Sequence, residues 1–173
     1  MEEKINIAEI LKDKKNGLRL YSPIFGECAF CCVRKDTNDI CVKKHNGVKE
    51  FFDSKGLYYN TGEVMLFPSK SMRDWEKLSW KRGDVLISDC GFVCIFKEWA
   101  SDDYTRFNGC YFDGMPNAQT AKYSKLDNNT AYGYIRELEK RCGGVLNIKT
   151  LKIEKPEFKD GDVYWPISIM KVP

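Results

Sequence analysis

The sequence predicts an α+β protein that is mainly β. It should contain two small curved sheets or SH3-like partial barrels, a short N-terminal helix, and one longer helix near residues 130–142. Three observations predict this. Short strand-like runs separated by turn residues fill residues 18–67. A second series of such runs begins near Trp80. Sustained helical spacing is confined to one stretch near the N-terminus and one near residue 130.

In chain order, Asn6 can cap a short helix from Ile7 to about Lys14, with Ile7, Ile10 and Leu11 on one side, and Asn16-Gly17 stops it. Leu18 to Tyr21 alternates as a strand, and Ser22-Pro23 with Phe25-Gly26 makes a turn. Glu27 to Val33 reads as the next strand, followed by an Asp36–Asp39 loop and the return strand Ile40-Cys41-Val42. Asn46-Gly47 is a strong hairpin signal before Val48 to Phe52. Gly56 to Tyr59 and Glu63 to Phe67 flank Asn60-Thr61-Gly62 as a further strand pair. So many short strands in so short a stretch predict a strongly curved sheet or barrel.

Beyond Trp80, Val85 to Ser88, Phe92 to Trp99 and Tyr104 to Phe112 form an expected meander, broken by Asp113–Asn117. Thr130 to Arg141 is the strongest helix, capped by Asn128 or Asn129 and ended by Gly143-Gly144. Tyr134, Ile135, Leu138 and Cys142 should face the core, and a hairpin should run through Val145–Ile148 and Leu151–Ile153. The pattern aromatic-Lys-x-Gly-Asp-Val occurs at Trp80–Val85 and again at Phe158–Val163. It suits a tight turn into a strand: Gly permits the bend and Asp bonds the turn amides. Small SH3-like barrels often begin in this way, a likeness at the level of fold alone. The expected division is 1–78 for a β-rich unit and 79–173 for a second β-rich unit with the helix, packed as one body.

At 173 residues the chain can bury a real core, and 43% hydrophobic residues with balanced charge exclude disorder. No apolar run reaches the length of a membrane span, and the acidic start is unlike a signal peptide, so a cytoplasmic protein without a membrane partner is expected. Residues 1–78 carry 14 Lys/Arg against 12 Asp/Glu, and residues 79–173 carry 14 against 13, so neither half is a basic module. That balance argues against nucleic acid as the leading partner.

The eight cysteines are too sparse for a disulfide scaffold, and a reducing compartment would leave them free. Cys28-Ala29-Phe30-Cys31 has the spacing of a zinc or redox motif. On a strand, however, Cys28, Phe30 and Cys32 should face one way and Ala29, Cys31 and Val33 the other, which is poor geometry for chelation. No metal and no cofactor are expected. The one histidine, His45, sits at an expected hairpin tip, away from any evident nucleophile, so no catalytic residue is assigned.

Aromatic residues gather near turns. Tyr21, Phe25, Tyr58, Tyr59 and Trp75 are the candidate binding surface of the first unit. The alternative is a nucleic-acid-binding SH3-like barrel using Lys43, Lys44, Arg73, Lys81 and Arg82. A small-nucleotide-binding protein or enzyme is the third class.

The blocks Leu20-Tyr21-Ser22-Pro23-Ile24-Phe25-Gly26-Glu27 and Leu66-Phe67-Pro68-Ser69-Lys70, with Arg73-Asp74-Trp75 after them, resemble a family of gut-bacterial and phage proteins of unassigned activity. The resemblance covers about residues 5–80. It implies a cytoplasmic protein linked to phages or mobile elements and carries over no catalytic residue. The cysteine-rich stretch Cys28–Cys32 departs from the pattern. The expected function is therefore a non-enzymatic binding protein for an unknown protein or small ligand.

Overall fold

The computed structural model describes residues 5–111 and 118–157. The protein is mainly β, built from open antiparallel sheets with a short N-terminal helix and a longer one late in the chain. Helix α1 spans Ile7–Lys12, and the Asn6 side chain caps it by accepting from the Glu9 amide. Strands β1 (Arg19–Ser22), β2 (Gly26–Val33), β3 (Ile40–Lys44) and β4 (Lys49–Phe52) form a four-stranded sheet in sequence order. Asn46-Gly47 makes the expected hairpin turn, with Gly47 at φ 85°. Ile7, Ala8 and Leu11 of α1 join Leu20, Phe30, Ile40, Val42 and Phe52 in one core.

Two expectations fail in this sheet. Gly56–Tyr59 and Glu63–Phe67 are not strands and leave only isolated bridges, Leu57 to Val64 and Tyr21 to Phe67. Local turns consume the backbone groups a ladder would need. Asp53 Oδ1 accepts from the Lys55 and Leu57 amides, and the Tyr58 carbonyl accepts from Thr61 and Gly62. The strict alternation expected for Cys28–Val33 also fails. Phe30 pairs with Val42 but Cys32 pairs with Cys41, so a β-bulge at Cys31 sets two residues opposite one. Cys28 and Phe30 remain in the core, Val33 returns to it, and Cys32 is exposed.

A short helix, α2 (Trp75–Leu78), capped by Asp74, closes this core and leads to the second sheet. Here β5 (Val85–Ser88), β6 (Val93–Trp99), β7 (Arg106–Tyr111), β8 (Ala118–Gln119) and β9 (Tyr123–Lys125) lie in the order β8-β7-β6-β5-β9. The turn into β5 behaves as its sequence demands. Trp80 is buried, Gly83 takes φ 94°, and Asp84 accepts from the Lys81 amide at 2.8 Å. The matching segment at 158–163 lies outside the described residues, as do Phe112 and Asp113–Asn117.

Both faces of the second sheet are covered. Leu86, Cys94, Phe96 and Phe107 pack with Trp80 and Tyr123 on one side. Val85, Val93 and Ile95 pack on the other with Leu138, Leu146 and Leu151. Two-sided burial explains why β6 begins as an unbroken apolar run. Helix α3 (Asn128–Cys142) supplies Leu138, and the hairpin of β10 (Val145–Asn147) and β11 (Lys152–Glu154) follows it. Its cap is Asp127 rather than Asn128 or Asn129: the Asp127 carboxylate accepts from the Asn129 and Thr130 amides and the Thr130 hydroxyl. Cys142, expected in the core, is exposed at the helix end.

Side chains cross between the two sheets. Tyr104, from the turn before β7, is buried in the core of the first sheet. Trp99 packs against that core and also stacks on Trp80 at 5.7 Å. Lys77 Nζ donates to the Thr120 carbonyl at 2.7 Å.

Candidate binding cleft

The crossing residues leave a cleft where the edge of the first sheet meets the turn before β7. A cavity of about 680 Å³ is lined by Arg19, Tyr21 and Glu27 on one wall, Ser69–Ser71 on the floor and Asp102, Thr105 and Arg106 opposite. A second, of about 540 Å³, shares Ser71, Thr105 and Arg106 with it and adds Arg73, Lys77 and Thr120. A third, of about 520 Å³, shares Arg19 and Glu27 and adds Phe25, Lys43, Lys44 and His45. Shared walls make the three a continuous path.

The floor is fixed from below. Buried Ser69 Oγ accepts from the Met72 amide at 2.8 Å and the Ser71 amide at 3.2 Å, and donates to the Asp103 carbonyl at 2.6 Å. The Asp103 carboxylate in turn accepts from the Ser101 hydroxyl at 2.6 Å and the Thr105 hydroxyl at 2.8 Å. Those hydrogen bonds, Ser101 first, hold its carboxyl below the ordinary carboxylate value. Asp103 is thus a structural anion that ties the turn together. Asp102 pairs with Arg19 at 3.2 Å.

Arg73 is the most organised cation of the path. Its guanidinium carbon lies 4.3 Å from the Phe67 ring centre and 5.1 Å from that of Tyr21. The two rings hold the planar group in place and leave its donors for a ligand. Among the described residues, no carboxylate comes within ion-pair distance of Arg73, Lys70 or Arg106. Lys44, by contrast, is committed to Glu50 at 2.6 Å and sits over the Phe25 ring.

The aromatic candidates separate. Tyr21 lines the cleft and is half-buried. Phe25 lies at the far end of the path and meets the Tyr58 ring edge-on at 5.2 Å. Tyr58 is half-buried, with its hydroxyl on Glu50. Tyr59 is 60% exposed, away from the cleft, and its hydroxyl donates to Asp39. Trp75 does not belong to any surface: it is 5% exposed, and its indole N–H donates to the Leu66 carbonyl at 3.3 Å. It is a core residue because the 64–72 segment folds over it.

The basic candidates separate as well. Lys43 and Lys44 lie at one end of the path and Arg73 at the other. Lys81 neighbours Lys14, and Arg82 Nε donates to the Lys149 carbonyl, so both belong to other surroundings. Arg19, Lys70 and Arg106 were not singled out by sequence. Nothing local marks them, because the packing of distant segments brings them together.

Cys28 and Cys94 are buried, and burial pushes both thiols up to about 12. Such thiols are packing groups rather than nucleophiles at neutral pH. The cleft itself combines guanidinium donors, hydroxyls, carboxylates and one aromatic face. Compared with family models, curated proteins and solved structures, the chain matches none.

Proposed function

We propose that the protein is a non-enzymatic binding protein whose inter-sheet cleft receives an acidic segment of a partner protein. The carrying observation is Arg73, oriented by Phe67 and Tyr21 and, like Lys70 and Arg106, without a carboxylate at ion-pair distance among the described residues. Planar guanidinium donors suit carboxylates, and the Ser and Thr hydroxyls nearby suit a peptide backbone. Glu27, Asp74 and Asp102 interrupt the basic groups along the path. A continuous phosphate backbone would meet repulsion there, whereas a peptide can place its acids selectively. The absence of an apolar, membrane-length helix among the described residues and the likeness of residues 5–80 to gut-bacterial and phage proteins support a cytoplasmic, phage- or mobile-element-linked setting.

One observation favours a second reading, a nucleic-acid-binding protein of SH3-like type. Lys43 and Arg73 stand at opposite ends of one continuous path that the half-buried rings of Phe25 and Tyr21 also line. Fluorescence anisotropy separates the two. A labelled Glu-rich peptide and a labelled single-stranded oligothymidylate are each titrated at low and physiological salt. Peptide binding that is lost in the Arg73→Ala, Arg106→Ala double variant supports the leading reading. Tight oligothymidylate binding with a steep salt dependence, and none for the peptide, replaces it with the second.

A further inference from the structure

The bulge in β2 gathers three thiols at one point. Ile40 and Val42 of β3 are both fully buried in the first core, so Cys41 between them points to the opposite face of the sheet. Cys41 is nevertheless buried there. Across from it the bulge sets Cys31 and Cys32 together, and both thiols lie close enough to disfavour ionisation of Cys41. Cys32 is the direct register partner of Cys41. Paired residues of an antiparallel ladder have Cα atoms about 4.5 to 5.5 Å apart with side chains on one face, inside the about 4.4 to 6.8 Å a disulfide spans.

We propose that Cys32 and Cys41 form a reversible oxidation site that peroxide converts to a cross-strand disulfide. Cys32 is exposed, and a cavity of about 280 Å³ lined by Cys31, Cys32, Arg34 and Lys35 opens beside it. The Cys32 sulfur attacks the peroxide: the O–O bond breaks, an S–O bond forms and one water leaves, giving a sulfenic acid. The Cys41 sulfur then attacks that sulfur: the S–S bond forms, the S–O bond breaks and a second water leaves. The two thiols together lose two electrons to one peroxide, and a dithiol reductant reverses the change. Cys32 is the exposed thiol of the three and therefore the point of attack. Burial, followed by the neighbouring thiols, pushes Cys41 up to about 11, so its attack on the sulfenic acid is the slow step and speeds up as pH rises. The site is independent of the inter-sheet cleft.

The test treats the whole protein with hydrogen peroxide, blocks remaining thiols, digests with trypsin and reads the peptides by mass spectrometry. The expected product joins peptide 20–34 to peptide 36–43, lighter by two hydrogens than their sum. A dithiol reductant should separate them. The link should be lost in Cys32→Ser, an exposed position that does not threaten folding, and kept in Cys31→Ser. A wild-type digest without this link, or with Cys32 over-oxidised and unlinked, overturns the proposal. So does a link that survives Cys32→Ser, because it would place the reaction at Cys31.

Discussion

The Tyr104 hydroxyl donates to the Arg19 carbonyl at 2.9 Å and so ties the turn before β7 to the first strand of the other sheet. The Tyr104 backbone adopts φ 57°, a left-handed conformation that costs a bulky residue about 1 to 2 kcal/mol. Its buried ring, edge-on to Trp99 at 5.6 Å, offsets that strain. Tyr104→Phe should cost about 1 kcal/mol, the net worth of one hydrogen bond. Tyr104→Ala should cost about 3 to 5 kcal/mol through the cavity left behind. Urea denaturation midpoints measure both, and equal losses for the two variants would refute the ring's dominance.

Stability should fall on the alkaline side. Burial raises Cys28, Cys94 and Tyr104 to about 12. In the unfolded chain, thiols titrate near about 8.5 and phenols near about 10. Between those values and about 12 the unfolded state binds fewer protons than the folded one, so unfolding becomes easier as pH rises. The stabilisation is complete below about pH 8.5 and is lost as pH climbs through the folded values. Urea midpoints should therefore drop between about pH 8 and about pH 10.5, and the drop should shrink in Cys94→Ala. An unchanged drop in that variant would assign the alkaline limb to other groups.

What was legible in the sequence was local. Asn6, Asn46-Gly47 and Trp80–Val85 act through their own neighbours, and each does what its residue type requires. The short strands β8 and β9 exist only because β7 and β5 offer edges, so no pattern of their own announces them. Glu63 to Phe67 has the turn-flanked look of a strand, but its pairing with residues 56–58 stops at single hydrogen bonds such as the Met65 amide to the Gly56 carbonyl, while Leu66 is buried in the first core. The bulge at Cys31 is likewise a property of two strands together. At the cleft, Tyr21 was recognisable as an aromatic residue near a turn, whereas Arg19 and Arg106 meet only after both sheets have formed.

Two adjacent glycines behind α3 should respond differently to alanine. Gly143 takes φ 65° as the helix cap with open space where a Cβ would stand, so Gly143→Ala should cost only about 1 kcal/mol of backbone strain. A Cβ on Gly144 would lie 2.6 Å from the Glu154 carbonyl oxygen and 2.6 Å from Ile153 Cγ2. That contact falls on β11 backbone, which must move away and disturb the hairpin that holds Leu146 and Leu151 in the core. Gly144→Ala should therefore be the more destabilising change, although its backbone is the less unusual. Thermal unfolding of both variants decides it.

Arg73 should matter for binding far more than for folding. It is exposed, and its contacts with Phe67 and Tyr21 are worth about 0.5 to 1 kcal/mol at such a site. Arg73→Ala should therefore shift the urea midpoint only slightly while weakening the Glu-rich peptide about tenfold or more, the worth of one charge-assisted contact. Arg73→Lys keeps the charge but loses the planar, paired donors, so it should recover only part of that affinity. Tyr59→Ala, far from the cleft, should leave affinity unchanged. If Arg73→Lys binds as the wild type does, charge alone suffices, and the ring-held orientation has no role in recognition.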